Sequence, residues 1–89
     1  MSNGNKLFKK PTFSFEFSDE FDAKRFYSFA AHTRASNVQY PYAVDGSGKK
    51  NPNKVLVTGI GSVVDDVCLQ SVLVAEAEKL GGHYIFRAN

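Results

Sequence analysis

The sequence feature that most constrains the fold is the strict alternation of phenylalanine with polar residues between Thr12 and Phe17. Phe13, Phe15 and Phe17 fall on one side of an extended chain, because successive side chains of a strand point to opposite faces. A period of two is typical of a half-buried β-strand. We therefore predict a strand here and expect its phenylalanine side to face the helices of the fold.

A helix is predicted directly after this strand. Ser18 and Asp19 can accept hydrogen bonds from the free amides of a helix start, and acidic residues follow at the positive end of the helix dipole. Apolar residues at helical spacing continue to residues 35–37. The alternating segment 38–44 then predicts a strand, and Pro41 restricts that strand to a sheet edge because proline lacks the amide needed for pairing on both sides.

The second half of the chain supplies a loop, a strand, a helix and a short strand. Residues 45–54 contain no large apolar residue and predict a long exposed loop. The β-branched, apolar segment 54–60 is typical of a central strand. Ser62 can cap a second helix, with Asp65 completing a variant of the capping box, and this helix is expected to end near residue 80. Residues 83–87 predict the last strand.

The resulting order, β-α-β-β-α-β, is the split βαβ arrangement. Across Thr12–Arg87 the chain resembles the ferredoxin-like group as an architecture. The resemblance implies an α+β fold with a four-stranded antiparallel sheet and two helices on one face. It also implies that the first and third strands are central, while the Pro41 strand and the last strand lie at the edges. No specific family is identified by motif, and a fold alone does not carry function.

A chain of 89 residues has room for a single domain. We expect a flexible basic N-terminal arm at residues 1–11 and one α+β domain at residues 12–89. A core this small stabilises a domain by only a few kcal/mol, which makes a homodimer plausible. Cys68 is the only cysteine and is interpreted as a small core residue. Because no leader segment or membrane-length apolar segment is recognisable, we expect a cytoplasmic protein.

No pattern in the sequence predicts catalysis, a cofactor or a metal. His32, His83 and Cys68 lack the clustered spacing of zinc ligands. The turn at residues 59–62 lies between a strand and a helix, as a phosphate-binding loop does, but it lacks the third glycine and the Gly-Lys-Ser/Thr of the known motifs. Asp65 and Asp66, which follow, are explained by helix capping. An acylphosphatase would need an arginine in a glycine-rich loop after the first strand. At that place this chain has Ser, Asp and Glu at residues 18–20, which begin a helix, so this activity is not expected. We therefore expect a protein that is not an enzyme.

Our leading hypothesis is a small non-catalytic interaction module, of the kind found among bacterial or phage regulators and inhibitors, that binds another protein or a second copy of itself. The contact would use the apolar side of the second helix or an unpaired sheet edge. Interfaces favour aromatic residues, although the tyrosines would equally serve to complete the core. The predicted interface residues are Tyr40, Tyr42, Leu69, Leu73 and Tyr84.

The alternative is a nucleic-acid-binding protein that contacts phosphates through the 45–54 loop and the N-terminal arm. The net charge of +2 permits an anionic partner, and lysines bind phosphates without sequence preference. No interleaved arginine or aromatic residue suits base recognition, and the third strand lacks the aromatic residues of an RNA-recognition motif. The predicted phosphate contacts are Lys6, Lys9, Lys10, Lys49, Lys50 and Lys54.

Overall fold

In the computed structural model, which describes residues 10–42 and 48–85, strands and helices follow one another as β-α-β-β-α-β. This confirms the predicted α+β class. The elements are β1 (Thr12–Glu16), α1 (Glu20–Ala30), β2 (Asn37–Gln39), β3 (Lys54–Thr58), α2 (Val63–Lys79) and β4 (His83–Ile85).

The four strands form one antiparallel sheet in the order β2-β3-β1-β4. The central strands β1 and β3 pair along their whole length, from Thr12 opposite Thr58 to Glu16 opposite Lys54. Within the described residues the two edge strands, β2 and β4, have three residues each, and residues 86–87 of the predicted last strand lie outside that part of the chain. The predicted positions of all four strands, two central and two at the edges, agree with this order.

The strand predicted at residues 38–44 is shorter than the alternation suggested, because β2 ends at Gln39. Pro41 follows two residues later, and its missing amide prevents the ladder from continuing. Beyond Pro41 the amide of Tyr42 donates a hydrogen bond to the carbonyl oxygen of Lys54 on the neighbouring strand at 3.1 Å. Residues 43 and 44 lie outside the described part of the chain.

One hydrophobic core fills the space between the sheet and both helices. The phenylalanine row of β1 and its continuation are almost completely buried, and the ring of Phe15 lies 4.6 Å from that of Phe26 on α1. Residues of both helices belong to the same cluster, so both helices pack on the phenylalanine side of the sheet, as predicted. The buried cluster consists of Phe13, Phe15, Phe17, Ala23, Phe26, Ala30, Val55, Val57, Leu69, Leu73, Ala77 and Leu80.

The first helix ends earlier than predicted, at Ala30 instead of at residues 35–37. The hydroxyl of Thr33 donates a hydrogen bond to the carbonyl oxygen of Ala30 at 2.6 Å, and a side chain that binds the last carbonyls competes with helix continuation. Three residues later the amide of Ser36 donates to the carbonyl oxygen of Thr58 at 2.9 Å, which starts the pairing of β2 with β3. Neither of the described helices is long and apolar enough to cross a membrane.

Candidate interaction surface

The outward side of α2 is the most apolar exposed surface of the described chain. The residues that α2 buries recur every three or four positions, so the remaining half of the helix faces solvent. Valine is ordinarily a buried residue, yet Val63, Val64, Val67 and Val72 expose 54%, 72%, 58% and 47% of their surface. We call the four exposed residues Val64, Val67, Cys68 and Val72 the valine face, and leave out Val63, which lies about 140° from Cys68 around the helix.

Two of the predicted interface residues on α2 lie on the opposite side of the helix. Leu73 is completely buried in the core together with Ala77, so its prediction as an interface residue is wrong. Leu69 belongs to the same core but keeps 7% of its surface exposed and lines a surface groove. These three positions are spaced by four residues and share the face that meets the phenylalanine row. The valines, one or more positions away, are rotated out into solvent.

The interpretation of Cys68 as a core residue is also wrong. Cys68 immediately precedes the buried Leu69, and one residue of an α-helix corresponds to a rotation of about 100°. That rotation carries the thiol to the outward side of the helix. Val64 and Val72 lie one turn from Cys68 in each direction, so Cys68 is part of an apolar surface. Its exposure makes the thiol accessible to reagents.

A shallow groove runs beside the valine face, between α2 and the end of α1. Its volume is about 370 Å³, and the buried Leu69 contributes to its apolar lining. At its rim a guanidinium nitrogen of Arg34 lies 3.7 Å from a carboxylate oxygen of Asp65. Both side chains are well exposed, so this ion pair contributes at most about 1 kcal/mol to stability. The lining residues are Thr33, Arg34, Asp65, Cys68, Leu69 and Val72.

The glycine-containing turn before α2 binds a carboxylate of its own chain. The amides of Ile60 and Gly61 each donate a hydrogen bond of 2.9 Å to the two oxygens of Asp66, which is buried. A side chain at Gly59 would place its Cβ only 2.6 Å from the same carboxylate. Because Asp66 already occupies two amides that a phosphate would need, the structure gives no support to a phosphate site here.

The predicted edge tyrosines contribute to the core. The ring of Tyr84 lies 5.4 Å from that of Phe15, and the ring of Tyr40 lies 5.5 Å from that of Tyr27 on α1. Burial raises the pKa of Tyr84 above its usual range, and burial together with the nearby charge of Glu20 raises the pKa of Tyr40. Tyr40 and Tyr84 therefore do not form one surface with the valine face.

Tyr42 follows the end of β2 and is half-buried. Its backbone amide is engaged with β3 through the carbonyl oxygen of Lys54. The five predicted interface residues are thus distributed over the segment after β2, the core and the middle of β4. These residues therefore do not form one contact surface, whereas the residues of the valine face lie side by side on one helix.

The described lysines do not converge on one patch. Lys10 precedes the start of β1, whereas Lys49 and Lys50 precede β3, which begins beside the opposite end of β1. The length of β1 separates these two ends by about 13 Å. The remaining described lysine of the prediction, Lys54, is mostly buried and pairs with Glu16 at 3.6 Å. Lys6 and Lys9 lie outside the described residues.

The sheet face turned away from the helices offers no stacking platform for bases. Its central positions within the described strands are Ser14 and Leu56, both buried, flanked by the ion pair of Glu16 with Lys54. No Phe, Tyr or Trp of the described strands lies on this face, because Phe13, Phe15 and Tyr84 pack into the core. Base stacking on the sheet, as in an RNA-recognition motif, therefore lacks its side chains in this part of the chain.

The two histidines lie on separate elements. The Nδ1 atom of His32 is 2.8 Å from the carbonyl oxygen of Ser28, within the turn that ends α1, and His83 begins β4. Within residues 10–42 and 48–85 no group of three or more His, Cys, Asp or Glu side chains could hold a metal ion.

Comparisons of this chain with protein-family models, with curated protein sequences and with solved structures found no match.

Proposed function

We propose that this protein is a small, non-catalytic interaction module that acts by protein–protein contact through the valine face of α2. The observation that carries the proposal is the exposure of three valines beside Cys68 on one side of α2, between 47% and 72% of each valine. Removing apolar surface from water stabilises a contact by about 25 cal/mol per Å². A helix that is apolar on its outward side as well as on its core side is typical of a helix covered on both sides.

A helix surface is better supported than a sheet edge as the place of contact. The edge strand β2 has three residues and is followed closely by Pro41, and β4 is equally short within the described chain. Short edges and proline reduce the number of backbone groups that an added strand could pair with. We therefore place the contact on α2 and not on β2 or β4.

The same proposal includes the finer assignment of the fold. The order of elements and the packing of both helices against one side of an antiparallel sheet support a ferredoxin-like domain. An experimental structure of the full chain tests this assignment, including the residues outside the described ranges.

The alternative, nucleic-acid binding through the lysines, has weaker support. Lys49 and Lys50 are exposed and could contact phosphates, but Lys54 is engaged with Glu16 and Lys10 lies at the other end of the sheet. A mixed-sequence oligonucleotide separates the two functions. A complex that weakens steeply as salt rises, and is lost when the loop lysines are replaced by alanine, would favour nucleic acid.

The proposal is tested by affinity capture with the tagged protein from a nuclease-treated extract of the source cells. We expect a stoichiometric protein partner, or untagged copies of the chain, to be retained by the wild type and lost from the Val64→Asp/Val72→Asp double variant. Phe21→Asp is the matched control, because Phe21 is similarly exposed, at 68%, but lies on α1.

Two results would contradict the proposal. The first is that the wild type and the double variant retain the same proteins in the same amounts. The second is that Phe21→Asp loses the partner as completely as the double variant, which would mean that the contact is not specific to α2. A partner that is captured from an untreated extract but not from the nuclease-treated extract would favour the nucleic-acid alternative instead.

A further inference from the structure

Three residues of the valine face form a row that is symmetric about its centre. Val64, Cys68 and Val72 are spaced by four residues, and positions spaced by four form a continuous ridge on an α-helix. All three side chains are exposed, and a valine lies one turn from Cys68 in each direction. A twofold rotation through Cys68 exchanges the positions of Val64 and Val72. The row can therefore pack against a second, antiparallel copy with a valine opposite each valine.

The groove beside the ridge provides the space that such a contact needs. Cys68 and Val72 belong to both features, so the ridge and the groove of one molecule lie side by side. In a twofold arrangement the ridge of each copy enters the groove of the other, which is how α-helices ordinarily pack. A volume of about 370 Å³ is ample for a valine side chain, and Leu69 offers it an apolar wall.

The distribution of charge favours a second copy over other partners. A twofold contact brings each residue near its own counterpart, so a surface that binds itself must avoid like charges at its centre. The outward positions of α2 from residue 64 to residue 75 carry no charged side chain, and Asp65 beside them is balanced by Arg34. The outward positions in question are Val64, Val67, Cys68, Ser71, Val72 and Ala75.

The charges at the ends of the helix select the antiparallel orientation. A parallel pair would place Lys79 of each copy beside Lys79 of the other and would align the two helix dipoles. An antiparallel pair opposes the dipoles and turns Arg34, whose side chain is 82% exposed, towards the half of the other helix that carries Glu78. Glu76 in that half is already paired with Lys79 at 3.5 Å.

We propose that the partner of the valine face is a second copy of this chain, bound by antiparallel packing of α2 on α2 with Cys68 at the twofold axis. This inference rests on the proposed function and specifies its partner. Val64 of each copy packs against Val72 of the other, and the two Cys68 thiols meet at the axis. Helix axes about 8–10 Å apart bring the facing backbones within reach of a disulfide bridge.

The first test is the oligomeric state of the purified full chain, measured by sedimentation velocity over a range of concentrations. We expect a reversible dimer for the wild type. Val72→Asp is expected to weaken it by roughly tenfold or more, because the substitution buries two unpaired charges in an apolar contact. Val63→Asp is the matched control. Val63 is similarly exposed but lies about 140° from Cys68 around the helix, so this variant should dimerise within about twofold of the wild type.

The second test uses the thiol as a reporter of the axis. Treatment with diamide removes two electrons and two protons from a pair of facing thiols and joins them by one disulfide bond, while the diamide is reduced to a hydrazine. We expect rapid formation of a covalent dimer in the wild type and in Val63→Asp, and slow formation in Val72→Asp. Circular dichroism of each variant establishes that it is folded, which is expected because Val64, Val72 and Val63 lie outside the core.

A purified protein that stays monomeric at every concentration would overturn the second-copy proposal. Equal loss of the dimer in Val63→Asp and Val72→Asp, or a dimer whose Cys68 thiols do not cross-link, would also overturn it. If the purified chain is monomeric but the capture experiment finds a different protein that the double variant loses, the proposed function holds and only the identity of the partner is wrong. If neither experiment finds a partner, both proposals fail.

Discussion

At the scale of single residues, Asp66 has the largest structural role of any charged side chain in the described part of α2. It is buried, and its two oxygens accept the amides of Ile60 and Gly61. A hydrogen bond to a charged acceptor contributes about 1.5–3 kcal/mol, more than a neutral one. The sequence predicts the same helix-capping role for Asp65 and Asp66. In the structure Asp66 binds the turn before the helix, whereas Asp65 forms an exposed ion pair with Arg34.

Asp66→Asn is therefore expected to lower the free energy of unfolding by about 2 kcal/mol. The amide keeps one accepting oxygen but turns an N–H group towards the other backbone donor. Asp65→Asn is the matched control and should change stability by less than about 1 kcal/mol, because Asp65 takes part only in an exposed ion pair. Urea unfolding of both variants measures the difference, and equal losses would contradict the role assigned to Asp66.

Tyr40 carries a buried hydroxyl that has no hydrogen-bond partner among the described residues. Tyr40→Phe should therefore leave stability at pH 7 unchanged or raise it by up to about 1 kcal/mol, because an unpaired buried hydroxyl is unfavourable. Burial and the charge of Glu20 raise the pKa of Tyr40 in the folded chain, so folding disfavours ionisation of this hydroxyl. Relative to the ionised form, the neutral form contributes its full stability below the ordinary tyrosine pKa near 10.

This contribution is lost as the pH rises through the raised pKa of the folded protein. Tyr40→Phe has no group to ionise at this position, so the variant should lose less stability than the wild type between neutral pH and about pH 11. Urea unfolding at several alkaline pH values measures this, and parallel pH dependences of the two proteins would refute the assignment.

At the scale of elements, the two helices begin in different ways. The side chain of Asp19 accepts a hydrogen bond from the amide of Asp22 at 2.9 Å, as predicted for a cap of α1. Ser62 occupies the same position before α2, but its side chain makes no capping hydrogen bond. Ser62 lies at the predicted N-cap position, but the predicted capping bond is absent, and Asp66 binds the amides of Ile60 and Gly61, which precede the helix.

Asp19→Ala is accordingly expected to lower the free energy of unfolding by about 1 kcal/mol, the usual contribution of a helix cap. Ser62→Ala should change it by less than about 0.5 kcal/mol, because no capping bond is lost. Thermal or urea unfolding compares the two variants directly. A larger loss for Ser62→Ala than for Asp19→Ala would show that the helix starts are stabilised in another way.

The strands were easier to predict from the sequence than the orientation of α2. A period of two assigns each residue of β1 to a face, and the structure keeps Phe13 and Phe15 inside. In α2 the residues from Val67 to Val74 are nearly all apolar, so the sequence has no polar side that would fix which part of the helix is buried. Packing against the sheet decides this, which is why the sequence pattern places Leu73 at the surface and Cys68 in the core, whereas the structure does the reverse.

At the scale of the whole molecule, long-range pairing decides which side chains come together. The sequence groups the lysines into two segments, but the register of β1 with β3 carries Lys10 and Lys50 to opposite ends of the sheet. The same register pairs Lys54 with Glu16. Four of the seven large apolar residues that are exposed in the described chain lie on α2, which is why the valine face is the central feature.

The most direct test of this central claim is the rate at which N-ethylmaleimide alkylates Cys68, the only thiol of the chain. In dilute purified protein the rate should approach that of an exposed thiol. It should fall by roughly tenfold or more where the valine face is covered, either at high protein concentration or in an extract of the source cells. The Val64→Asp/Val72→Asp variant should restore the fast rate. A fast rate under every condition would mean that nothing covers α2 and would contradict the account.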